Sequence, residues 1–214
     1  GLWAMPELAG DMLDPRQHDE RAFFATGNAL AHLHSASVGC DRVWTRQDET
    51  EVLVKALAEV EARRPDLGPD LLQVLEKARR MISDCPSSGQ ALLHRDFYPD
   101  QVLVQPGGIV LLDLDLVAVG EPAIDIGNFL AHLQELSLRI HSELDAYACE
   151  GEAFLEGYAS AGPLPPPSAI ERMREISLWR HLAICHRFIE RQGYFDKLFD
   201  HAAELVQADA ARGK

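Results

Sequence analysis

HRDFYPDQ, residues 94–101, and LLDLD, residues 111–115, are two segments rich in aspartate that flank a short apolar stretch. Between them lies VLVQPGGIV, in which Val, Ile and Leu, typical of strands, surround a Pro-Gly-Gly turn signal. A turn at the two glycines folds the apolar halves back on each other as a β-hairpin. We therefore expect Gln101 and Asp113 to reach the same end of that hairpin.

Outside this stretch the sequence has the periodicity of helices. Apolar residues recur at three- and four-residue spacing, and Gly and Pro residues separate the segments. Ser168 followed by Glu171 predicts a capping box at one helix start. The chain is thus predicted to have an α+β, mainly helical fold. The predicted strands are Ala91–Leu93, Val102–Val104 and Ile109–Leu112, and the predicted helices are Arg16–Ser37, Thr50–Arg63, Pro69–Ser83, Ile124–Leu138, Glu143–Ser160, Ala169–Arg191 and Phe195–Ala210.

Composition narrows the classes of protein to consider. The chain has 214 residues, of which 47% are hydrophobic, enough to bury a core and to exclude a disordered or fibrous protein. Its 20 Lys and Arg against 34 Asp and Glu give a formal charge of −14, which would repel a nucleic-acid backbone. Nucleic acid is therefore not an expected partner.

Cysteine usage and hydropathy indicate a compartment. The four cysteines are far apart and contain no C-x-x-C pair, which fits neither a zinc site nor a disulfide framework. No apolar run approaches the ~20 residues of a membrane span, and residues 1–5 lack the pattern of a secretion signal. We expect reduced thiols, no membrane association and a cytoplasmic location.

The hairpin end gathers oxygen donors suited to phosphate transfer. Magnesium binds carboxylate and amide oxygens and keeps waters and substrate phosphates as its other ligands, so Asp113 with Gln101 is a sufficient protein contribution. Asp96, one loop earlier, is free to accept or orient the proton of an attacking hydroxyl. The pattern predicts a phosphate-transfer site in which each carboxylate has its own role.

The same residues resemble the aminoglycoside phosphotransferase and choline kinase superfamily, relatives of protein kinases whose catalytic loop reads H-x-D-x-x-x-x-N. The resemblance implies that Asp96 is the catalytic base and that Gln101, in place of the usual asparagine, is a metal ligand. It implies that Asp113 is the metal-binding aspartate and Asp115 a second ligand. We expect His94 to be a packed, hydrogen-bonded residue that shapes the loop.

Two further segments extend the resemblance. GEPAIDIG, residues 120–127, is similar to the family's G-D-P-x-x-D-L-A segment, in which Asp125 would buttress the catalytic loop. LAHLH, residues 30–34, is similar to its L-A-x-L-H helix. Residues 1–13 resemble the hinge and linker that follow the family's nucleotide-binding lobe, and residues 14–214 its helical C-terminal lobe. The chain contains neither the glycine-rich phosphate loop nor the strand lysine of the other lobe.

The resemblance implies a phosphotransferase that uses Mg²⁺ with ATP or GTP and a small hydroxyl acceptor, with aminoglycoside, choline-type alcohol and sugar acceptors left open. A chain limited to the C-terminal lobe is expected to be inactive alone, because it lacks half of the phosphate clamp. One alternative is a protein kinase, although neither D-F-G nor A-P-E is present. The other is a non-catalytic binding or regulatory module. The His32/His34 and His181/His186 pairs are not expected to bind zinc.

Overall fold

The computed structural model describes residues 9–212, with side chains omitted at positions 189, 190 and 209–212. Seven helices and five short strands make up this part of the chain, in agreement with the predicted α+β, mainly helical class. The strands are β1 (Asp11–Met12), β2 (Ala91–Leu93), β3 (Val102–Gln105), β4 (Gly108–Leu111) and β5 (Ala118–Gly120), and the helices are α1 (Glu20–His34), α2 (Arg46–Arg63), α3 (Gly68–Ser83), α4 (Ala123–His141), α5 (Ala148–Ala161), α6 (Pro167–Arg187) and α7 (Phe195–Arg212).

The predicted hairpin is confirmed. Strand β3 pairs antiparallel with β4 through Val102 opposite Leu111 and Gln105 opposite Gly108, and β1 adds a third strand on the other side of β3. The sequence pattern predicts neither β1 nor β5, and β5 pairs antiparallel with β2 as a second sheet. Its three residues are too few to show a strand periodicity. The sheet of β2 and β5 thus holds both ends of the segment between residues 94 and 117, and the hairpin lies within that segment.

Four predicted helix starts were wrong. Helix α1 begins at Glu20 and not at Arg16, and α5 begins at Ala148 and not at Glu143; the other two concern α6 and α2. The Ser168 capping box does not form, because α6 begins at Pro167 and Ser168 therefore lies inside its first turn. Proline suits that first position, since its missing N–H would have no partner in the helix. A capping box occurs instead before α2, where the Thr45 hydroxyl accepts from the Asp48 N–H and the Asp48 carboxylate accepts from the Thr45 N–H. Helix α2 thus begins four residues before the predicted start.

Close helix packing positions the beginning of α4, which follows the segment of residues 94–117. A Cβ atom on Gly27 of α1 would overlap the Phe154 carbonyl of α5, and one on Gly157 of α5 would overlap the Phe24 carbonyl of α1. These two helices therefore meet backbone to backbone, which only glycine permits. On α4, Gly127 makes a similar approach to the backbone of α6. The beginning of α4 is consequently held rigidly against its neighbours.

An aromatic cluster lies under the loop that follows β2. The ring of Phe97 stacks on Phe129 at 5.2 Å, and Phe129 stacks on Phe154 at 4.2 Å between ring centroids. All three side chains are fully buried. Such ring pairs contribute about 1 kcal/mol each beyond their buried area, so Phe97 anchors the loop in the core.

Within residues 9–212, no helix combines the length and apolar character needed to cross a membrane.

Candidate active site

Asp125 ties the loop after β2 to the first turn of α4. Its carboxylate accepts the backbone N–H of His94 at 2.6 Å through Oδ2 and that of Arg95 at 2.8 Å through Oδ1. Arg95 has a left-handed φ of 75°, a strained conformation for this residue. The hydrogen bond that the Arg95 N–H donates to Asp125 offsets that strain. The Arg95 guanidinium lies 3.6 Å from the centre of the Trp44 ring.

A buried histidine completes the polar surroundings of Asp125. His34, at the end of α1, lies with Nε2 3.0 Å from Asp125 Oδ2 and with Nδ1 2.8 Å from the Tyr158 hydroxyl. Burial, followed by the charge of Asp125, raises the pKa of Tyr158 to about 12, so its hydroxyl remains protonated. The Asp125 carboxylate is fully buried and has partners on both oxygens.

His94 links the loop to the strand that leads to Asp113. Its Nε2 lies 2.7 Å from the carbonyl oxygen of Leu112, and its ring packs against Phe97 at 5.4 Å. A carbonyl only accepts, so Nε2 is the protonated nitrogen. The buried Nδ1 atom has no partner among the described residues. His94 is fully buried and therefore positions the backbone around it without facing the cavity described below.

Asp96 lies at the edge of a large cavity. The cavity has a volume of about 860 Å³, within the range of small-molecule sites. It is lined by the loop of residues 95–100, by β1 and by helices α2, α4 and α6. Burial raises the pKa of Asp96, and the charges of Asp113 and Asp125 add to this while His94 and Arg180 oppose it. A carboxylate with a raised pKa is a stronger base than an exposed aspartate.

The hairpin brings Gln101 and Asp113 to one end, as expected from its register. The Gln101 carbonyl accepts the Leu112 N–H at 2.9 Å, so Asp113 directly follows the last hydrogen-bonded residue opposite Gln101. Asp113 has a left-handed φ of 53° and is exposed. Asp115 is also exposed, on the 3₁₀ turn Leu114–Leu116, where its backbone carbonyl accepts from Arg42.

A magnesium ion fits the chemistry of these donors. The described residues contain no group of three or more His, Cys, Asp and Glu side chains that could enclose a metal ion. The donors near the hairpin end are instead two exposed carboxylates and one amide, few enough to leave room for waters and phosphate oxygens. Magnesium favours such open sites over cages built only of protein ligands.

Three residues that the sequence pattern did not indicate connect the loop after β2 to distant helices. Asn128 on α4 donates to the Phe97 carbonyl at 3.0 Å and accepts from Arg180 on α6 at 2.6 Å. Arg180 also donates to Glu49 on α2 at 3.0 Å. A polar residue within the apolar run IGNFLAHL was the available signal for Asn128. Nothing local pointed to Glu49 or Arg180, which are 131 residues apart.

The loop after β2, the hairpin and Asp125 lie within the range that a family model matches. The model of the phosphotransferase enzyme family APH aligns with residues 2–176, which include the catalytic loop, the hairpin and Asp125. The chain belongs to this phosphotransferase family. A search of curated proteins found no significant match.

Solved structures of kinases share the fold of this phosphotransferase family member. Choline kinase from Cryptosporidium parvum Iowa II is 14% identical with a TM-score of 0.63, and the match covers 98% of this chain and 73% of that one. Aminoglycoside-3'-phosphotransferase of type VIII is 18% identical with a TM-score of 0.57, covering 81% and 66%. The amicoumacin kinase hAmiN, solved with AMP-PNP, Ca²⁺ and Ami, is 11% identical with a TM-score of 0.65, covering 92% and 63%. The match thus spans about two thirds of the length of these structures.

Proposed function

We propose that this protein transfers the γ-phosphate of ATP or GTP to a hydroxyl group of a small molecule. Membership of the phosphotransferase family supports phosphate transfer. The site is assigned from the two hydrogen bonds that Asp125 accepts from the backbone of the loop after β2. These bonds fix the loop so that Asp96 borders a cavity large enough for a small acceptor. We assign Asp96 as the base that accepts or orients the acceptor's hydroxyl proton.

We propose that the oxygens of Gln101, Asp113 and Asp115 would hold Mg²⁺, with His94 and Asp125 supporting the loop. When bound, the metal would neutralise charge on the transferred phosphate. Asp113 and Asp115 project from exposed positions, so they can reach a ligand without losing a protein partner. His94 keeps the Leu112 carbonyl, and with it the approach to Asp113, at a fixed distance from the loop.

We further propose that residues 1–13 are the hinge and linker of a two-lobed enzyme and residues 14–214 its C-terminal lobe. The coverage of 63–73% of the kinase structures supports this division, as does the lack of a glycine-rich phosphate loop in the sequence. Residues 1–8 lie outside the described residues. Leu13 is buried and Asp11–Met12 pairs with β3, so the end of this linker packs on the helical lobe. The chain alone is expected to transfer phosphate poorly.

Four unpaired cysteines favour a reducing, cytosolic location for the enzyme.

The test is the rate of phosphate transfer in the full-length protein with Mg-ATP or Mg-GTP and a panel of hydroxyl compounds. Asp96→Asn should lower kcat by a factor of about 10²–10⁴, the usual contribution of a general base, and leave nucleotide affinity unchanged. Asp70→Asn, at an exposed position of α3 outside the cavity, is the control and should retain activity. Unchanged turnover in Asp96→Asn would remove Asp96 from this role. Nucleotide binding without any turnover in the parent protein would favour a non-catalytic module.

A further inference from the structure

The cavity beside Asp96 has walls of opposite charge. The strand and loop segments contribute four carboxylates, at Asp11, Asp14, Asp96 and Asp100, against two cations, Arg95 and the Arg16 that pairs with Asp14. Among the described residues, the helical wall contributes five cations and one carboxylate: Lys55, Arg139, Arg180, Arg187, Arg191 and Glu135. This wall is basic although the whole chain carries a formal charge of −14. The excess of cations is therefore local to the cavity.

One face of α4 connects the two ends of the cavity. Asn128, His132, Glu135 and Arg139 follow at spacings of four, three and four residues, so they lie on the same side of the helix, and all four line the cavity. Asn128 is hydrogen-bonded to the catalytic loop at Phe97. A rise of 1.5 Å per residue places Glu135 about 10 Å further along the helix from that contact.

The far end of this face has two arginines and only one carboxylate to neutralise them among the described residues. The buried Glu135 is the shared partner of Arg139, at 3.4 Å, and of Arg191, at 3.6 Å. Both distances end on the same oxygen, Oε1, which also accepts the Tyr194 hydroxyl at 2.5 Å. Neither guanidinium makes a side-chain hydrogen bond within the described part of the chain, and both remain partly exposed. Two arginines thus share one carboxylate and keep N–H donors for a ligand.

Arg180 and Arg187 differ from this pair because each has its own carboxylate outside the cavity. Arg180 binds Glu49 at 3.0 Å, and Arg187 binds Glu59 through two nitrogens. They contribute structure to the wall and little uncompensated charge. The unsatisfied positive charge is concentrated at Arg139 and Arg191, with the exposed Lys55 nearby on the same wall.

We propose that the acceptor is anionic: a polyhydroxylated small molecule whose reacting hydroxyl meets Asp96 and whose carboxylate or phosphate group binds Arg139 and Arg191. Arginine is suited to this because its planar fork bonds both oxygens of such a group. The assignment of the hydroxyl end rests on the proposed phosphate transfer. The assignment of the anionic end rests on the arginine pair alone.

His132 suits the middle of such an acceptor. Its ring stacks on Tyr98 of the catalytic loop at 4.6 Å and meets His181 edge-on at 4.6 Å. Burial holds the pKa of His132 well below its usual range, and His181 and Arg180 act in the same direction. A neutral imidazole offers one donor and one acceptor, the pairing that a hydroxyl group requires.

The first experiment measures binding of three matched six-carbon sugars to the 214-residue chain by calorimetry, without nucleotide. D-glucuronate is anionic, D-glucose neutral and D-glucosamine cationic, so the ring is nearly constant and the charge varies. D-glucuronate should bind about tenfold more tightly than D-glucose, the effect expected of one charge-assisted contact, and D-glucosamine should bind most weakly. D-glucose 6-phosphate distinguishes a phosphate-bearing acceptor from a carboxylate-bearing one.

The second experiment removes each guanidinium separately. Arg139→Gln and Arg191→Gln each leave one arginine beside Glu135, which protects the fold, and each should reduce the preference for D-glucuronate over D-glucose severalfold. Arg79→Gln removes an exposed charge from α3 and is the matched control. Equal or absent binding of the three sugars, tightest binding of D-glucosamine, or unchanged selectivity in both variants would overturn the proposal. These measurements involve no turnover, so a result against the anionic acceptor would not count against phosphate transfer. The Asp96→Asn assay tests phosphate transfer separately.

Discussion

The carboxylates on the two sides of the loop after β2 differ in how many hydrogen bonds they accept from the protein. On the α4 side, Asp125 is fully buried and bonds two backbone N–H groups and His34. On the hairpin side, Asp113 and Asp115 are exposed, and neither side chain has a hydrogen bond among the described residues. The contrast separates what supports the loop from what is available to ligands. A carboxylate whose two oxygens are hydrogen-bonded by the protein stabilises the fold, whereas a carboxylate without such partners can bind a metal ion.

The sharpest way to break this contrast is to remove the buried carboxylate. Asp125→Ala leaves two N–H donors and His34 without their shared partner, and breaking such a buried polar group costs about 3–5 kcal/mol. The free energy of unfolding should fall by that amount in urea denaturation monitored by circular dichroism. Asp100→Ala, at an exposed position in the same loop, should change it by less than about 0.5 kcal/mol. Equal stabilities of the two variants would contradict the buttress role of Asp125.

A second prediction concerns the buried His181. Unlike His34, its ring is not hydrogen-bonded to a carboxylate in the described part of the chain. His181 Nδ1 contacts the Ser177 carbonyl at 3.1 Å, while its buried Nε2 has no partner among the described residues. Burial lowers the pKa of His181 to about 4. The unfolded chain therefore takes up this proton at higher pH than the folded chain, and stability is present above pH ~6.5 and is lost as the pH falls towards 4.

The measurement is urea denaturation at pH 7.5 and pH 5. Between these values the parent should lose about 2 kcal/mol more stability than His181→Gln, in which this titration is absent. His201→Gln, at a partly exposed position on α7, serves as the control and should retain the loss seen in the parent. An identical pH dependence in His181→Gln and the parent would show that His181 does not titrate in this range.

The smallest stability change is expected on the hairpin side. Asparagine tolerates the left-handed backbone of Asp113 and is nearly isosteric, so Asp113→Asn should alter the free energy of unfolding by less than about 0.5 kcal/mol. Magnesium-dependent nucleotide binding by the full-length protein, followed by calorimetry with and without EDTA, should nevertheless weaken about tenfold or more, because the variant loses an anionic ligand. Persistence of that binding would place the metal elsewhere.

Asp115→Asn tests whether the two exposed carboxylates on the hairpin side contribute equally to metal binding. Its carboxylate is proposed as the second aspartate ligand, on the turn after Asp113. We expect a weaker effect on magnesium-dependent nucleotide binding than for Asp113→Asn, since the Asp115 backbone is already engaged by Arg42. Equal losses would give the two carboxylates equal roles.

The sequence by itself determined the features that depend on neighbouring residues. Val102–Gln105, the glycine turn and the following apolar run specify a hairpin and its register, because strand periodicity and turn chemistry are local. The order of His94, Asp96 and Asp125 indicated the family for the same reason. The local signals were least reliable at element ends, as at Thr45 and Ser168, where competing caps differ by small energies.

Only the tertiary structure decided which distant residues support and surround the loop. His34 meets Asp125 across 91 positions, and Glu49 meets Arg180 across 131. Arg139 of α4 and Arg191, which follows α6, both lie beside Glu135, and the overall charge of −14 gives no sign of this local excess of cations. Helix and strand periodicity shows which side of an element is buried but not which other element covers it. That choice follows from close packing, here of glycine-lined helices, and it assigns the polar partners.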